Sequence, residues 1–237
     1  MKQLLTLLAI LPVLASAEPK PDLNCITLPT FIFDQRHATT AGVAWPVTEK
    51  GKNYLVTAHH VLGPAGGLKT QLTPRDVAKE VKAVASLCLG DSTTVLLGTP
   101  ALFVSKAKLY DGQGGDADVM LTRLPDARGV KPLVLAAESP KKNDPAWLFV
   151  RLVDRDRPSL YPATVIDVTP GFIQYKFDDK SLNLRAATGA PILNSAGEVI
   201  AMHLGFGSQT TALIGISCPA TGIRARIQEA ETEEKRP

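Results

Sequence analysis

The chain has 237 residues, with 26 lysines and arginines set against 23 aspartates and glutamates. Hydrophobic residues make up 45% and charged residues 21%, which excludes a disordered, self-repelling polymer. The basic residues are scattered in short clusters such as "EKGK" and "PKK", with no basic stripe interleaved with aromatics, so nucleic acid is excluded as the expected partner.

The opening "MKQLLTLLAILPVLASA" carries Lys2, an apolar run and the pattern Ala15-Ser16-Ala17. It reads as a secretory signal over residues 1–17, cut before Glu18. The alternative is an uncleaved anchor, but the run is short for a membrane-spanning helix. The expectation is a secreted or periplasmic protein of about 220 residues, off the membrane after cleavage. Three cysteines, Cys25, Cys88 and Cys218, allow one disulfide in an oxidising compartment and leave one thiol over, and the pairing is open.

Residues 18–29 read as a polar, proline-broken N-terminal arm. From about residue 30 the texture is short β-branched runs parted by Gly, Pro, Asn and Asp: "TFIFD", "AGVAWPV", "NYLVTA", "STTVLLG", "ALFVSKAKLY" and "ADVMLTRL", then "AWLFVRLV", "YPATVIDV", "GFIQYKF", "APIL", "EVIAMHLG" and "TALIGIS". Many short strands at near-regular spacing predict an all-β sandwich or barrel. "TPRDVAKEVKAVASL" predicts a helix after Thr73-Pro74, and "ATGIRARIQEAETEE" a closing helix. The turn-rich stretch "LPDARGVKPLVLAAESPKKNDP" divides the chain into a first β unit over 30–125 and a second over 126–237.

Chemistry concentrates at three places. "NYLVTAHHVLG" runs a strand into a pair of histidines, His59 and His60; "GGDADVMLTRL" offers Asp118, with Asp116 as competitor; and "AATGAP" sets Thr188 in a turn. A hydroxyl attacks a carbonyl only when a base takes its proton and an acid fixes the base's tautomer. Ser195, in "NSAG", falls in a hairpin turn beyond "PIL" and is the poorer nucleophile. No C-x-x-C or H-E-x-x-H spacing calls for a metal, and no cofactor is expected.

"VTAHHV", "DVMLTRL" and "AATGAPILNSAGEVIAMHLG", in that order, resemble the three signature segments of the trypsin/chymotrypsin-like serine proteases, nearest the secreted V8-like glutamyl endopeptidase branch. "GVKPLVLAAESPKKNDPAWLFV" resembles the inter-barrel linker of that branch. The resemblance implies two antiparallel six-stranded β-barrels with a site in the cleft between them and a short C-terminal helix. It assigns His60 as base, Asp118 as orienting acid and Thr188 to the nucleophile position, which serine holds in the family. It places the oxyanion hole at Ala186 and Thr188, with alanine where the family has glycine. It puts His203 and Gly205 in the substrate pocket, the histidine carrying a proton that suits a carboxylate. The threonine methyl stiffens χ1 and crowds attack, and alanine is disfavoured where φ is positive. Two readings follow: an impaired peptidase with a His-Asp-Thr triad, or an inactive pseudoprotease that binds peptide or protein in the cleft. A scaffold with the cleft unused is the third.

Overall fold

A computed structural model describes residues 17–110, 114–209 and 212–236. The expected signal segment therefore lies, but for Ala17, outside the described residues. No helix among the described residues is long and apolar enough to cross a membrane.

The first half builds two four-stranded sheets, not the closed barrel expected. One runs β2 (Ala38–Thr40), β1 (Thr27–Ile32), β5 (Ala83–Cys88), β6 (Val95–Gly98); the other runs β7 (Met120–Arg123), β4 (Lys52–Thr57), β3 (Trp45–Glu49), β8 (Leu133–Val134). Among the described residues, isolated bridges at Thr27↔Ala44 and Ala101↔Thr122 join them, and the N–H groups of Thr99 and Leu102 donate to the Arg123 and Leu121 carbonyls of β7, each at 2.9 Å. The strands are too short to carry continuous pairing around a corner, and the stretch 101–110, read as a strand, is instead a loop whose Leu102, Val104 and Ala107 cover the core.

The predicted helix after Thr73 forms, but only as α1, Pro74–Glu80. Thr73 and Asp76 make a reciprocal capping box at its start. It ends because residues 83–88 obey a period of two: Val84, Ser86 and Cys88 are buried in turn as β5 pairs with β1 and β6.

The second half is the closed barrel of the expectation. β9 (Pro145–Val150), β10 (Ser159–Val168), β11 (Ile173–Phe177), β14 (Ala212–Pro219), β13 (Val199–Gln209) and β12 (Pro191–Leu193) pair in that order, and β12 returns to β9. Tyr175, Phe177 and Leu148 share its inner face, and Phe149, on the alternate face of β9, is buried outside it. The linker stitches the halves together: β8 pairs in parallel with β3, and Leu135 bridges to Val199.

The predicted closing helix is α2, Ala220–Glu233, with Ile223, Ile227 and Ala230 on its buried face. Its carboxylates grip the first half. Glu231 accepts from Lys52 Nζ (2.7 Å) and the Tyr54 hydroxyl (2.6 Å), contacts that pull its carboxyl down to about 2. Glu229 accepts the Lys106 backbone N–H (2.7 Å), and Glu234 pairs with Arg123. Cys25, Cys88 and Cys218 are all buried thiols with no disulfide, so the expected bridge is not formed. Burial, chiefly, raises the pKa of each thiol and keeps it protonated and inert.

Candidate active site

Strand pairing brings the first two groups together. β4 and β7 lie antiparallel with Thr57 opposite Met120. His60 stands three residues past Thr57, in the 3₁₀ turn His59–Leu62, and Asp118 two residues before Met120, so both sit at one end of the same ladder. Asp118 is fully buried, and its Oδ2 lies 2.6 Å from His60 Nδ1. Its Oδ1 accepts the His60 backbone N–H at 2.9 Å, and Oδ2 also accepts the Tyr110 N–H at 3.2 Å. One carboxylate thus fixes the turn and the ring together. The Nδ1 proton faces Asp118, which leaves the Nε2 lone pair to accept a proton.

The competing neighbours are accounted for. Asp116 lies with its backbone against α2, where a side chain at Gly222 would meet its carbonyl oxygen at 2.6 Å. His59 is buried, and burial lowers its pKa. It packs in the core beside Pro74 and Val77 of α1.

Thr188 is half-buried in a loop pinned from both halves of the molecule. Its carbonyl accepts from Val43 N–H (2.8 Å), and the Gly189 carbonyl from Trp45 Nε1 (2.8 Å). From the other side, Gly189 N–H donates to the His203 carbonyl and His203 N–H to that of Ala190, each at 2.8 Å. Gly42 is the spacer between this loop and the histidine turn. A Cβ there would stand 2.8 Å from Val61 Cγ1 and 3.0 Å from the Thr188 carbonyl, and φ is +68°. Sequence reading missed Gly42, Val43 and Trp45. Their only trace is the run "AGVAWPV", which looks like any buried strand.

Ala187 N–H closes a turn onto Leu184, but the amides on either side, at Ala186 and Thr188, donate to no acceptor among the described residues. Two uncommitted N–H groups flanking one residue are what an oxyanion needs. Ala186 holds φ +62°, the left-handed region, as expected for a glycine position occupied by alanine. Ala186→Gly is therefore expected to raise stability by about 0.5–1 kcal/mol, read as a higher urea midpoint with unchanged slope. No hydrogen bond joins Thr188 Oγ1 to His60 among the described residues.

His203 departs from expectation. It is wholly buried, and burial, with a smaller push from His60, lowers its pKa to about 3. It is neutral and cannot supply a positive charge for an acidic ligand. Its Nδ1 is hydrogen-bonded to the Tyr175 hydroxyl, which burial keeps a phenol. Nε2 is buried without a partner. Gly205 follows a β-bulge, and nothing lies within 4 Å of where its side chain would be.

This neutrality has a pH signature. The unfolded imidazole gains a proton near pH 6.5, while the folded one stays neutral down to about 3. The stability His203 preserves is complete above about pH 6.5 and falls by about 1.4 kcal/mol per pH unit below it. His59, also held down by burial, acts in the same direction. Urea unfolding of His203→Gln between pH 6.5 and 4.5 should show a pH slope shallower by about one proton than that of the unmutated protein.

A family model for the trypsin-like peptidase domain matches residues 41–202. The chain belongs to the trypsin-like peptidase family. No curated protein matches it in sequence. Among solved structures, the chain resembles the serine endoprotease from Yersinia pestis with a TM-score of 0.56 at 14% identity, over 88% of this chain and 63% of that one. It resembles the active form of the Rv3671c protease from M. tuberculosis with a TM-score of 0.55 at 15% identity, over 96% of this chain and 94% of that one. At such identity these likenesses speak for the fold. Among the described residues no group of three or more His, Cys, Asp or Glu side chains is arranged to hold a metal ion.

Proposed function

We propose that this trypsin-like peptidase homologue hydrolyses peptide bonds slowly, outside the cytoplasm, through His60, Asp118 and Thr188. His60 Nε2 takes the Thr188 hydroxyl proton as Oγ1 attacks the carbonyl carbon. The carbonyl oxygen, now negative, meets the N–H groups of Ala186 and Thr188. His60 then returns the proton to the departing amine, and a water activated by the same ring releases the acyl group from Oγ1.

The observation that carries this reading is the 2.6 Å contact between His60 Nδ1 and a fully buried carboxylate. A buried charge is costly unless firmly partnered, and this one is spent on orienting a ring that keeps 19% of its side chain exposed. Slowness follows from the stiff threonine χ1 and the absent Thr188–His60 hydrogen bond, because attack geometry tolerates little misplacement. The V8-like likeness of "AATGAPILNSAGEVIAMHLG" supports a peptide as the ligand.

That same missing bond favours the second reading, a pseudoprotease that binds peptide in the cleft without cleaving it. Degradation of a mixed peptide library, followed by mass spectrometry, separates the two. Cleavage that Thr188→Ala and His60→Ala each abolish supports hydrolysis. Inactivity of the unmutated protein with activity gained in Thr188→Ser establishes the pseudoprotease.

A further inference from the structure

The peptide unit that joins His59 to His60 is held at both ends. Its N–H donates to Asp118 Oδ1 at 2.9 Å, and its carbonyl accepts from Gln71 Nε2 at 3.3 Å. The same Nε2 donates to the Leu62 carbonyl (3.2 Å), at the end of the histidine turn, and to the Leu72 carbonyl (3.3 Å), so two amide protons are shared among three acceptors. Three carbonyl oxygens around one carboxamide admit only its NH₂ end there.

The returning chain builds the seat for this amide. Pro64–Gly66 makes a second 3₁₀ turn, and Leu72 N–H comes back to the Leu62 carbonyl at 3.0 Å. Thr73, two residues past Gln71, caps α1, whose Val77 is buried beside His59, so the amide projects from a fixed base. Gly63 provides the room. Its backbone is extended, a conformation open to any residue, but a Cβ there would stand 1.9 Å from Gln71 Oε1 and 2.7 Å from Gln71 Cδ. That glycine therefore serves space for the carboxamide, not backbone freedom.

We propose that Gln71 is a positioning residue for the general base. A planar peptide tied at both its N–H and its C=O cannot swing about either tie. Asp118 and Gln71 together thus fix the His60 Cα, and with it the approach of Nε2 to the nucleophile loop. This rests on His60 serving as the base; Gln71 itself touches neither the ring nor the substrate.

The test uses the full protein with two readouts. With Thr188→Ser as the background for a measurable rate, Gln71→Ala should lower kcat between about 10-fold and 100-fold, with KM within about twofold. Gly63→Ala, which sets a methyl where Oε1 lies, should cost a similar factor alone and add little to Gln71→Ala, because both remove one contact. Thr70→Ala, an exposed neighbour in the same loop, should leave kcat unchanged. With Thr188 unmutated, NMR of protein labelled with ¹⁵N-histidine follows the His60 Nδ1 proton, assigned by its loss in His60→Gln. Gln71→Ala should speed its exchange with water about tenfold. Circular dichroism checks each fold; should Gln71→Ala fail to fold, Gln71→Met, which keeps the length without a donor, is read in its place. An unchanged kcat, an unchanged Nδ1 exchange rate, or fully additive losses from Gly63→Ala and Gln71→Ala overturns the proposal. If no variant cleaves peptide, the hydrolytic reading falls alone, and the exchange rate still decides whether Gln71 holds the histidine.

Discussion

Asp118→Asn, made alongside Thr188→Ser to give a measurable rate, should lower peptide turnover about 10⁴-fold, or about 5–6 kcal/mol of barrier. The carboxylate accepts from three donors: His60 Nδ1 and Tyr110 N–H on one oxygen, His60 N–H on the other. A carboxamide has a single acceptor oxygen. If that oxygen faces the ring, the NH₂ meets the His60 backbone N–H, donor against donor. If it faces the backbone, the NH₂ donates to Nδ1, drives the ring proton to Nε2 and removes the base. Steady-state kinetics should show the loss in kcat, with KM little changed, because the group orients the base and does not hold substrate. A fall of less than tenfold would remove Asp118 from the orienting role. Urea unfolding should register a separate loss of about 1–3 kcal/mol for the unsatisfied buried donors.

Gly189→Ala should destabilise the protein by about 3–5 kcal/mol. An added Cβ would stand 2.1 Å from the Val43 carbonyl oxygen and 2.7 Å from Thr57 Oγ1, with φ at +92°. Those two atoms are hydrogen-bonded to each other at 2.7 Å, and Val43 also holds Thr188, so neither can retreat freely. Gly51→Ala separates the two causes. Its φ is +73° with nothing within 4 Å, so it should cost only about 1 kcal/mol. Equal losses at the two positions, compared by denaturant unfolding, would refute the steric argument.

Much of this frame is legible in the residues. Period-two alternation places most strands, and Thr73-Pro74 with Asp76 marks the start of α1 through local capping chemistry. The ordered segments around His60, Asp118 and Thr188 point to the family because each couples a strand end to a polar side chain of fixed type and order. What fails to show is non-local. Residues 81–88 carry helix-compatible spacing, and only pairing with β1 and β6 turns them into a strand. The arrangement of the first half as two four-stranded sheets is set by pairings between distant residues, such as Ala101 with Thr122, that no local spacing reveals. His203 suits an acid-binding role on paper, but its complete burial and its bond to Tyr175, 28 positions away, make it neutral. The positive φ of Ala186 is the reverse case, where one alanine in place of glycine signals backbone strain before any coordinates.

The anchoring of α2 also bears on how far the polypeptide can be shortened. Glu231 and Glu234 reach β4 and β7, the two strands whose ends lead to His60 and Asp118. A version ending near residue 225 would keep all six staves of the C-terminal cylinder, yet the opposite lobe would lose its outer fastenings. Removing those fastenings loosens the lobe that carries His60 without any change at His60 or Thr188, so the tail is the wrong place to trim.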